Sequence, residues 1–314
     1  MSGEAAGDVA RARDLLRERF AADAADVAPV AGGVFSRAYG FTAGGRRYVV
    51  RFNAVPQADE SFAKDVFAGE HFASAALPIP RVVATGRAAD EFYAISERVA
   101  GRTLHLLPTR ERLAVLPAAL DTLDAVARAD LRATRGYGPW GADGAGRFAT
   151  WRDALAACIE DETAGFYQDW HALFRDSSLE RDVYELVYGR MLRLAAACPE
   201  DRALLHCDYH FKNILADGGR ISGVIDWGNA WYGDPLYDVA RVGWWAELAD
   251  AAVLRARYGA APRYDERIAC YCYHLGLDDL RYYAKTGQRK WYDWTRNRLL
   301  ALVAWGAGGV GRGP

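Results

Sequence analysis

The sequence predicts an α+β chain in two lobes. Residues 1–100 form a small N-terminal lobe on an antiparallel sheet with a leading helix, and residues 101–314 a larger, mainly helical C-terminal lobe. Three observations predict this. From Val27 to Phe52 apolar and polar residues alternate in short runs broken by Gly32-Gly33 and Gly44-Gly45, as hairpin strands require. Beyond residue 100 the apolar spacing becomes helical, as in Leu113, Leu116, Leu120, Leu123 and Val126. A chain of 314 residues is also long enough to bury two cores.

Composition narrows the class. Hydrophobic residues make up 51% and charged residues 25%, an ordinary globular balance. The 39 Lys+Arg against 41 Asp+Glu leave a net charge of −2, which gives no footing for a nucleic-acid partner. No apolar run reaches the length of a membrane span, and the first residues lack the apolar core of a leader. The expectation is a cytoplasmic monomer with no membrane partner. The five cysteines show no metal-ligand spacing and read as free thiols, with Cys270-Tyr-Cys272 in a helix core.

In chain order, Asp8 to Phe20 reads as an amphipathic helix, and Val27 to Val34, Arg37 to Thr42 and Arg46 to Phe52 as strands. The turn from Ala31 to Arg37, with Gly33 and Ser36, has the small residues that let backbone N–H groups approach a triphosphate. Arg51 on the third strand is placed to grip phosphate, being permanently charged and forked. Ser61 to Ala76 is the next helix, and Asp65 on it the expected partner of Arg51, with Glu70 as the other choice. Leu77-Pro-Ile-Pro80 stops that helix. Strands at Arg81 to Thr85 and Phe92 to Glu97 lead into Glu97-Arg-Val-Ala-Gly101, read as the connector between lobes. Its Glu97 carbonyl and Val99 N–H are the groups expected to hold an adenine.

The second lobe reads as helices over Arg110 to Ala129, Trp151 to Glu162, Leu179 to Ala197, Pro235 to Ala249, Asp265 to Lys285 and Trp291 to Trp305. The glycine-rich stretch from Arg135 to Gly146 reads as a binding loop or lid.

The chemistry concentrates between Leu204 and Trp227. His206-Cys-Asp208 is followed by Asn213 after four residues, and Asp226 ends a later apolar run. Strands at Arg202 to Leu205, Asn213 to Ala216 and Ile221 to Ile225, with a turn at Asp217-Gly-Gly219, place these oxygens around one loop. H-x-D-x-x-x-x-N followed by a strand-borne Asp is the arrangement that performs phosphoryl transfer in kinase catalytic loops. Asp208 would orient an acceptor hydroxyl and take its proton. Asn213 and Asp226 would hold Mg²⁺, a hard cation that takes carboxylate and amide oxygens together with phosphates. His206 would brace the loop.

These segments resemble the aminoglycoside phosphotransferase family, which has a protein-kinase-like fold. The likeness is carried by Gly45 to Arg51, His71 to Pro80, Gly136 to Trp140, Thr150 to Asp153, Leu205 to Trp227, Tyr232-Gly-Asp234 and Gly306 to Arg312, over nearly the whole chain. The segments HFASAALPIP and GYGPW point to its hygromycin branch. The resemblance implies ATP or GTP as donor, Mg²⁺, and transfer of the γ-phosphoryl group to a hydroxyl of a polycationic aminoglycoside. It implies that Asp208 is the catalytic base, Asn213 and Asp226 the metal ligands, and Trp245 an aromatic lining the substrate. Lys212 stands where the family has a small or amide residue, on the acceptor side or against phosphate.

Local charge fits a cationic substrate. Between Asp226 and Asp250 lie five acids (Asp226, Asp234, Asp238, Glu247, Asp250) and one base, Arg241, and Asp278-Asp279 adds two more acids. One ammonium–carboxylate pair at about 4 Å is worth roughly 4 kcal/mol before desolvation at an effective dielectric near 20. Asp238, Glu247 and Asp278 are therefore substrate-side candidates, with Asp234 before Pro235 read as a helix-start residue. Two other readings fit the same residues: a kinase for another hydroxylated metabolite or amino sugar, and a nucleotide-binding regulator without catalysis.

Overall fold

The computed structural model describes residues 3–20, 24–30, 36–246 and 248–307. In chain order it forms α1 (Gly3–Phe20), β1 (Ala25–Val30), β2 (Arg37–Ala43), β3 (Arg46–Asn53), α2 (Ala58–His71), β4 (Val82–Ala88), β5 (Glu91–Glu97), β6 (Arg102–Thr103) and α3 (Thr109–Ala127). There follow β7 (Tyr137–Trp140), β8 (Gly146–Phe148), α4 (Trp151–Ala156), α5 (Leu173–Asp176), α6 (Arg181–Ala195), β9 (Ala203–Leu205), β10 (Ile214–Asp217) and β11 (Arg220–Val224). The chain closes with β12 (Trp231–Gly233), α7 (Leu236–Trp245), α8 (Ala251–Tyr258), α9 (Tyr264–Lys285) and α10 (Arg289–Ala307). Among the described residues no helix is long and apolar enough to cross a membrane.

There are two compact units. One holds Met1–Ala133, Gly141–Gly144 and His210–Ala230, the other Thr134–Trp140, Ala145–Tyr209 and Trp231–Pro314. The first is built on a five-stranded antiparallel sheet of order β1-β2-β3-β5-β4. Alternation in β3 sends Tyr48, Val50 and Phe52 to one face, where α1 covers them with Val9, Ala12 and Leu16 at helical spacing. The opposite face meets α2 through Phe62 against Ala94, and this is the face toward which Arg51 points.

A smaller sheet, β11-β10-β6, pairs Leu215 with Thr103. Both β6 and residues 210–230 belong to the first unit. The β10–β11 hairpin turns through Gly218 and Gly219, both at positive φ.

The second unit packs a four-stranded sheet, β8-β7-β12-β9, with α4–α10. Its axis is α9, whose Cys270, Tyr271, Leu277 and Leu280 are fully buried. None of the five cysteines, all among the described residues, is in a disulfide.

Several expected boundaries are corrected. The helix expected over Ser61 to Ala76 runs Ala58–His71 and ends before a turn in which the Ser74 N–H donates to the Leu77 carbonyl at 2.9 Å and the Leu77 N–H to the Ser74 hydroxyl at 3.1 Å. The stretch from Arg135 to Gly146 is not a lid. It is the hairpin β7–β8, registered Tyr137↔Phe148, with Trp140 buried and stacked on Tyr232 at 5.6 Å. Its glycines supply left-handed backbone at Gly136 and Gly138 rather than mobility. The helix expected to Glu162 is α-helical only to Ala156, and the one expected to Ala249 stops at Trp245, where Ala246 turns left-handed. A separate helix, α8, then starts under an Asp250 cap at 2.9 Å.

Candidate active site

In the first unit the site begins at β3, whose neighbours place Arg51 opposite Ala38 on one side and Ala94 on the other. The guanidinium lies over the Phe62 ring at 5.1 Å and forms an ion pair with Asp65 on α2. Burial works against its charge, but the Asp65 and Asp226 carboxylates outweigh it and raise its pKa above the ordinary value. Asp65 also accepts the Trp227 N–H at 2.8 Å, and Lys64 donates to the Gly228 carbonyl at 2.8 Å. Two consecutive α2 residues thus hold the segment that follows Asp226. Gly228 allows the approach, since a Cβ there would meet Ser61 Oγ at 2.1 Å.

Asp226 is half-buried and has left-handed backbone, φ 71°. Such backbone in a residue other than glycine persists only where its surroundings over-determine it, and it clusters at functional sites. The preceding Ile225 N–H donates to the Asn213 carbonyl at 3.0 Å, which brings the Asn213 and Asp226 segments side by side. Asn213 is buried, and Lys212 beside it is exposed, its N–H on His210 Nδ1 at 3.1 Å. Ser36 Oγ accepts from Asn53 Nδ2 at 3.3 Å. Glu97 takes part in the β3–β5 ladder opposite Tyr48, and its side chain pairs with Arg81 at 3.0 Å on the surface. Val99 packs against Gly223. Gly33 and its loop, like Glu247, lie outside the described residues.

In the second unit β9 delivers His206, Cys207 and Asp208. His206 is fully buried, and its Nδ1 accepts the Asp208 N–H at 3.2 Å. Cys207 has left-handed backbone, φ 61°. Asp238 on α7 braces this turn: its carboxylate accepts the His206 N–H at 2.6 Å and the Cys207 N–H at 2.8 Å. Burial pushes its pKa up, against the pull of His206 and the two N–H donors. Expected on the substrate side, Asp238 is buried and committed to the main chain.

One turn further along α7, Arg241 donates to Asp208 Oδ1 at 2.9 Å and lies 3.8 Å from Asp279. Asp279 also accepts the Trp244 indole N–H at 2.7 Å, and burial pushes its pKa up to about 7 despite Arg241. The other acids are similarly engaged. Asp234 is fully buried between Arg267, at 2.7 Å, and Tyr271, and it accepts the Leu236 N–H at 3.0 Å at the start of α7. Asp278 pairs with Arg281 at 2.8 Å. Of the acids read along the sequence, Asp234, Asp278 and Asp279 are met by Arg267, Arg281 and Arg241 of α9 and α7. Trp245 stacks on Trp294 at 5.0 Å and touches Trp291, with Tyr283 beyond.

Sequence reasoning missed Lys64 as a clamp and Arg241 as a partner of Asp208. The second was legible: Asp238, Arg241 and Trp244 follow at three-residue spacing on one helix face.

The chain belongs to a phosphoryl-transferring class, the phosphotransferase enzyme family (APH), which it matches over residues 26–271. It is an enzyme of the bilobal, protein-kinase-like α+β fold. Hygromycin-B 4-O-kinase of Escherichia coli is 38% identical over 293 residues, 91% of this chain and 83% of that protein. The crystal structure of aminoglycoside phosphotransferase APH(4)-Ia is 34% identical with a TM-score of 0.84, covering 96% of this chain and 99% of that one. A thermostable mutant of the same protein, in ternary complex with AMP-PNP and hygromycin B, is 35% identical with a TM-score of 0.84 over 95% of this chain and 99% of that one.

Proposed function

We propose that this enzyme transfers the γ-phosphoryl group of ATP or GTP to a hydroxyl of hygromycin B or a close aminoglycoside, as a cytoplasmic monomer, and so confers resistance. The observation that carries the reading is the Asp208 turn: a carboxylate held by α7 on a strained, buried backbone, in a chain 38% identical to a hygromycin-B 4-O-kinase. The substrate's hydroxyl oxygen attacks the γ-phosphorus. A new P–O bond forms, the bond to the β-phosphate oxygen breaks, and the nucleoside diphosphate leaves with that electron pair. Asp208 orients the hydroxyl and receives its proton.

Residues 1–100 serve as the nucleotide lobe, with residues 101–314 as the catalytic and substrate lobe. Arg51, held by Asp65, grips the phosphates; Gly33 and Ser36 belong to the loop that covers them, and Glu97 and Val99 to the adenine contact. The donor set fits Mg²⁺: an amide and a carboxylate oxygen, Asn213 and Asp226, on adjacent segments, where this ion needs only one or two protein groups besides phosphates and water. When bound it would draw charge from the phosphate oxygens. Trp245, Asp278, Glu247 and Lys212 belong to the acceptor side, with Asp238 acting through the loop it braces.

The test is mass analysis of hygromycin B after incubation with the enzyme, Mg²⁺ and ATP or GTP. A gain of one phosphoryl group is expected, and Asp208→Asn should lower turnover about a hundredfold or more while nucleotide still binds. No gain with the wild-type enzyme would overturn the reading.

A further inference from the structure

Two residues of α7 act on three consecutive residues of the loop after β9, and a third acts on Asp279 of α9. Asp238 takes the N–H groups of His206 and Cys207, and Arg241 takes the side chain of Asp208. The third, Trp244, holds Asp279, which stands beside Arg241. The main chain at Asp208 is thus fixed by Asp238 and by His206 Nδ1 at 3.2 Å, without help from Arg241. What Arg241 adds is charge, aimed at one carboxylate oxygen.

That charge is costly to place. Arg241 is 18% exposed, Asp208 19% and Asp279 9%, and a buried guanidinium loses hydration that only close carboxylates restore. The fold supplies a second carboxylate and an indole N–H to hold the first cation in place.

The substrate class explains the arrangement. A polycationic amine carries several ammonium groups for each hydroxyl that can react. A bare, half-buried carboxylate binds ammonium more strongly than hydroxyl, because an ionised donor makes the stronger hydrogen bond. An ammonium seated on Asp208 would hold the substrate in a pose that cannot react. A guanidinium already on Oδ1 repels that ammonium and still permits a neutral hydroxyl.

We propose that Arg241 is the specificity-determining positioning residue of the acceptor side, which reserves Asp208 for a neutral hydroxyl by excluding the substrate's ammonium groups. The proposal rests on Asp208 being the acceptor-orienting carboxylate, and it concerns this chain's Asp208–Arg241–Asp279 cluster alone.

The experiment compares wild type, Arg241→Gln, Arg241→Lys and the double variant Asp208→Asn/Arg241→Gln by calorimetric titration with hygromycin B and by steady-state kinetics. Arg241→Gln should bind hygromycin B about tenfold more tightly, the sign opposite to a lost structural contact. Its kcat and KM should fall together, the signature of non-productive binding. The tightening should vanish in the double variant, and Arg241→Lys, which keeps the cation, should stay near wild type. Unchanged or weaker binding in Arg241→Gln, or tightening that survives in the double variant, would overturn the proposal. If Arg241→Gln does not fold, Arg241→Met, which also removes the cation while keeping an unbranched side chain, replaces it: it should tighten binding in the same sense, and no tightening overturns the proposal. The titration needs no turnover. A wild type that never phosphorylates the drug would sink the functional reading while the binding shift still decides this one.

Discussion

Asp65 and Trp227 lie 162 residues apart in the chain, and the Asp65 carboxylate accepts the Trp227 backbone N–H at 2.8 Å. The other oxygen of that carboxylate receives the Arg51 guanidinium. One side chain of α2 therefore couples strand β3 to the residue that follows Asp226.

Replacing Asp65 with Ala leaves both an arginine charge and a buried N–H without their acceptor. Losing one partner of a buried pair costs about 3–5 kcal/mol. Asp65→Ala should lower the urea midpoint accordingly and weaken nucleotide binding at least about tenfold by calorimetry. Arg51→Lys, which keeps the charge and loses the fork, should do less. Nucleotide affinity that ignores Asp65→Ala would separate the pair from nucleotide binding.

Gly101 has φ +93°, and a Cβ there would sit 2.1 Å from the Ala216 carbonyl oxygen. Neither the backbone angle nor the backbone neighbour can yield cheaply. Gly101→Ala should cost about 3 kcal/mol or more. Gly44→Ala, at φ +54° with nothing within 4 Å, should cost about 1 kcal/mol. Equal urea midpoints for the two variants would contradict the close β6–β10 approach.

His274 is buried on α9 with its Nδ1 on the Tyr237 hydroxyl at 2.9 Å, and burial pushes its pKa down to about 4. The unfolded chain takes up this proton near pH 6.5 and the folded chain refuses it until about 4. Stability is therefore lost as pH falls through that window, by up to about 1.4 kcal/mol per pH unit. Asp279 works in the opposite direction: with its folded pKa raised to about 7, its contribution is full at low pH and lost as pH rises through about 7. Thermal melts should show the wild type losing stability faster than His274→Gln from pH 6.5 to 4. Parallel curves would show that His274 stays accessible to protons.

Trp245 lies face to face with Trp294, 10° from parallel, while Trp291 in the same cluster is 40% exposed. A sugar ring contacting Trp245 predicts that Trp245→Ala weakens hygromycin B binding by about tenfold, a loss typical of an aromatic anchor. A decrease no larger than that of Trp291→Ala would assign Trp245 to packing alone.

Much of the fold was readable because its signals are local. Period-two alternation marked β2 and β3, the glycine pair at Gly218-Gly219 marked a hairpin, and helical spacing marked α3, α6 and α9. Where short pieces are stabilised from a distance the reading failed. Strand β12 has three residues and exists because β7 and β9 flank it, and α2 ends early because Ser74 and Leu77 close a turn.

The sequence by itself determined the reaction class, because His206, Asp208, Asn213 and Asp226 keep spacings set along one short stretch of chain. It also supplied both residues of the Arg51–Asp65 pair. Only the tertiary structure decided which charges meet. Asp234 is matched to Arg267, and Asp208 to Arg241, each 33 residues away, and Asp238 to two backbone N–H groups. A charge count along the chain treats these acids as available to a cationic substrate. Coulomb energy depends on distance in space and on burial, and both are set only when α7 and α9 pack around the loop.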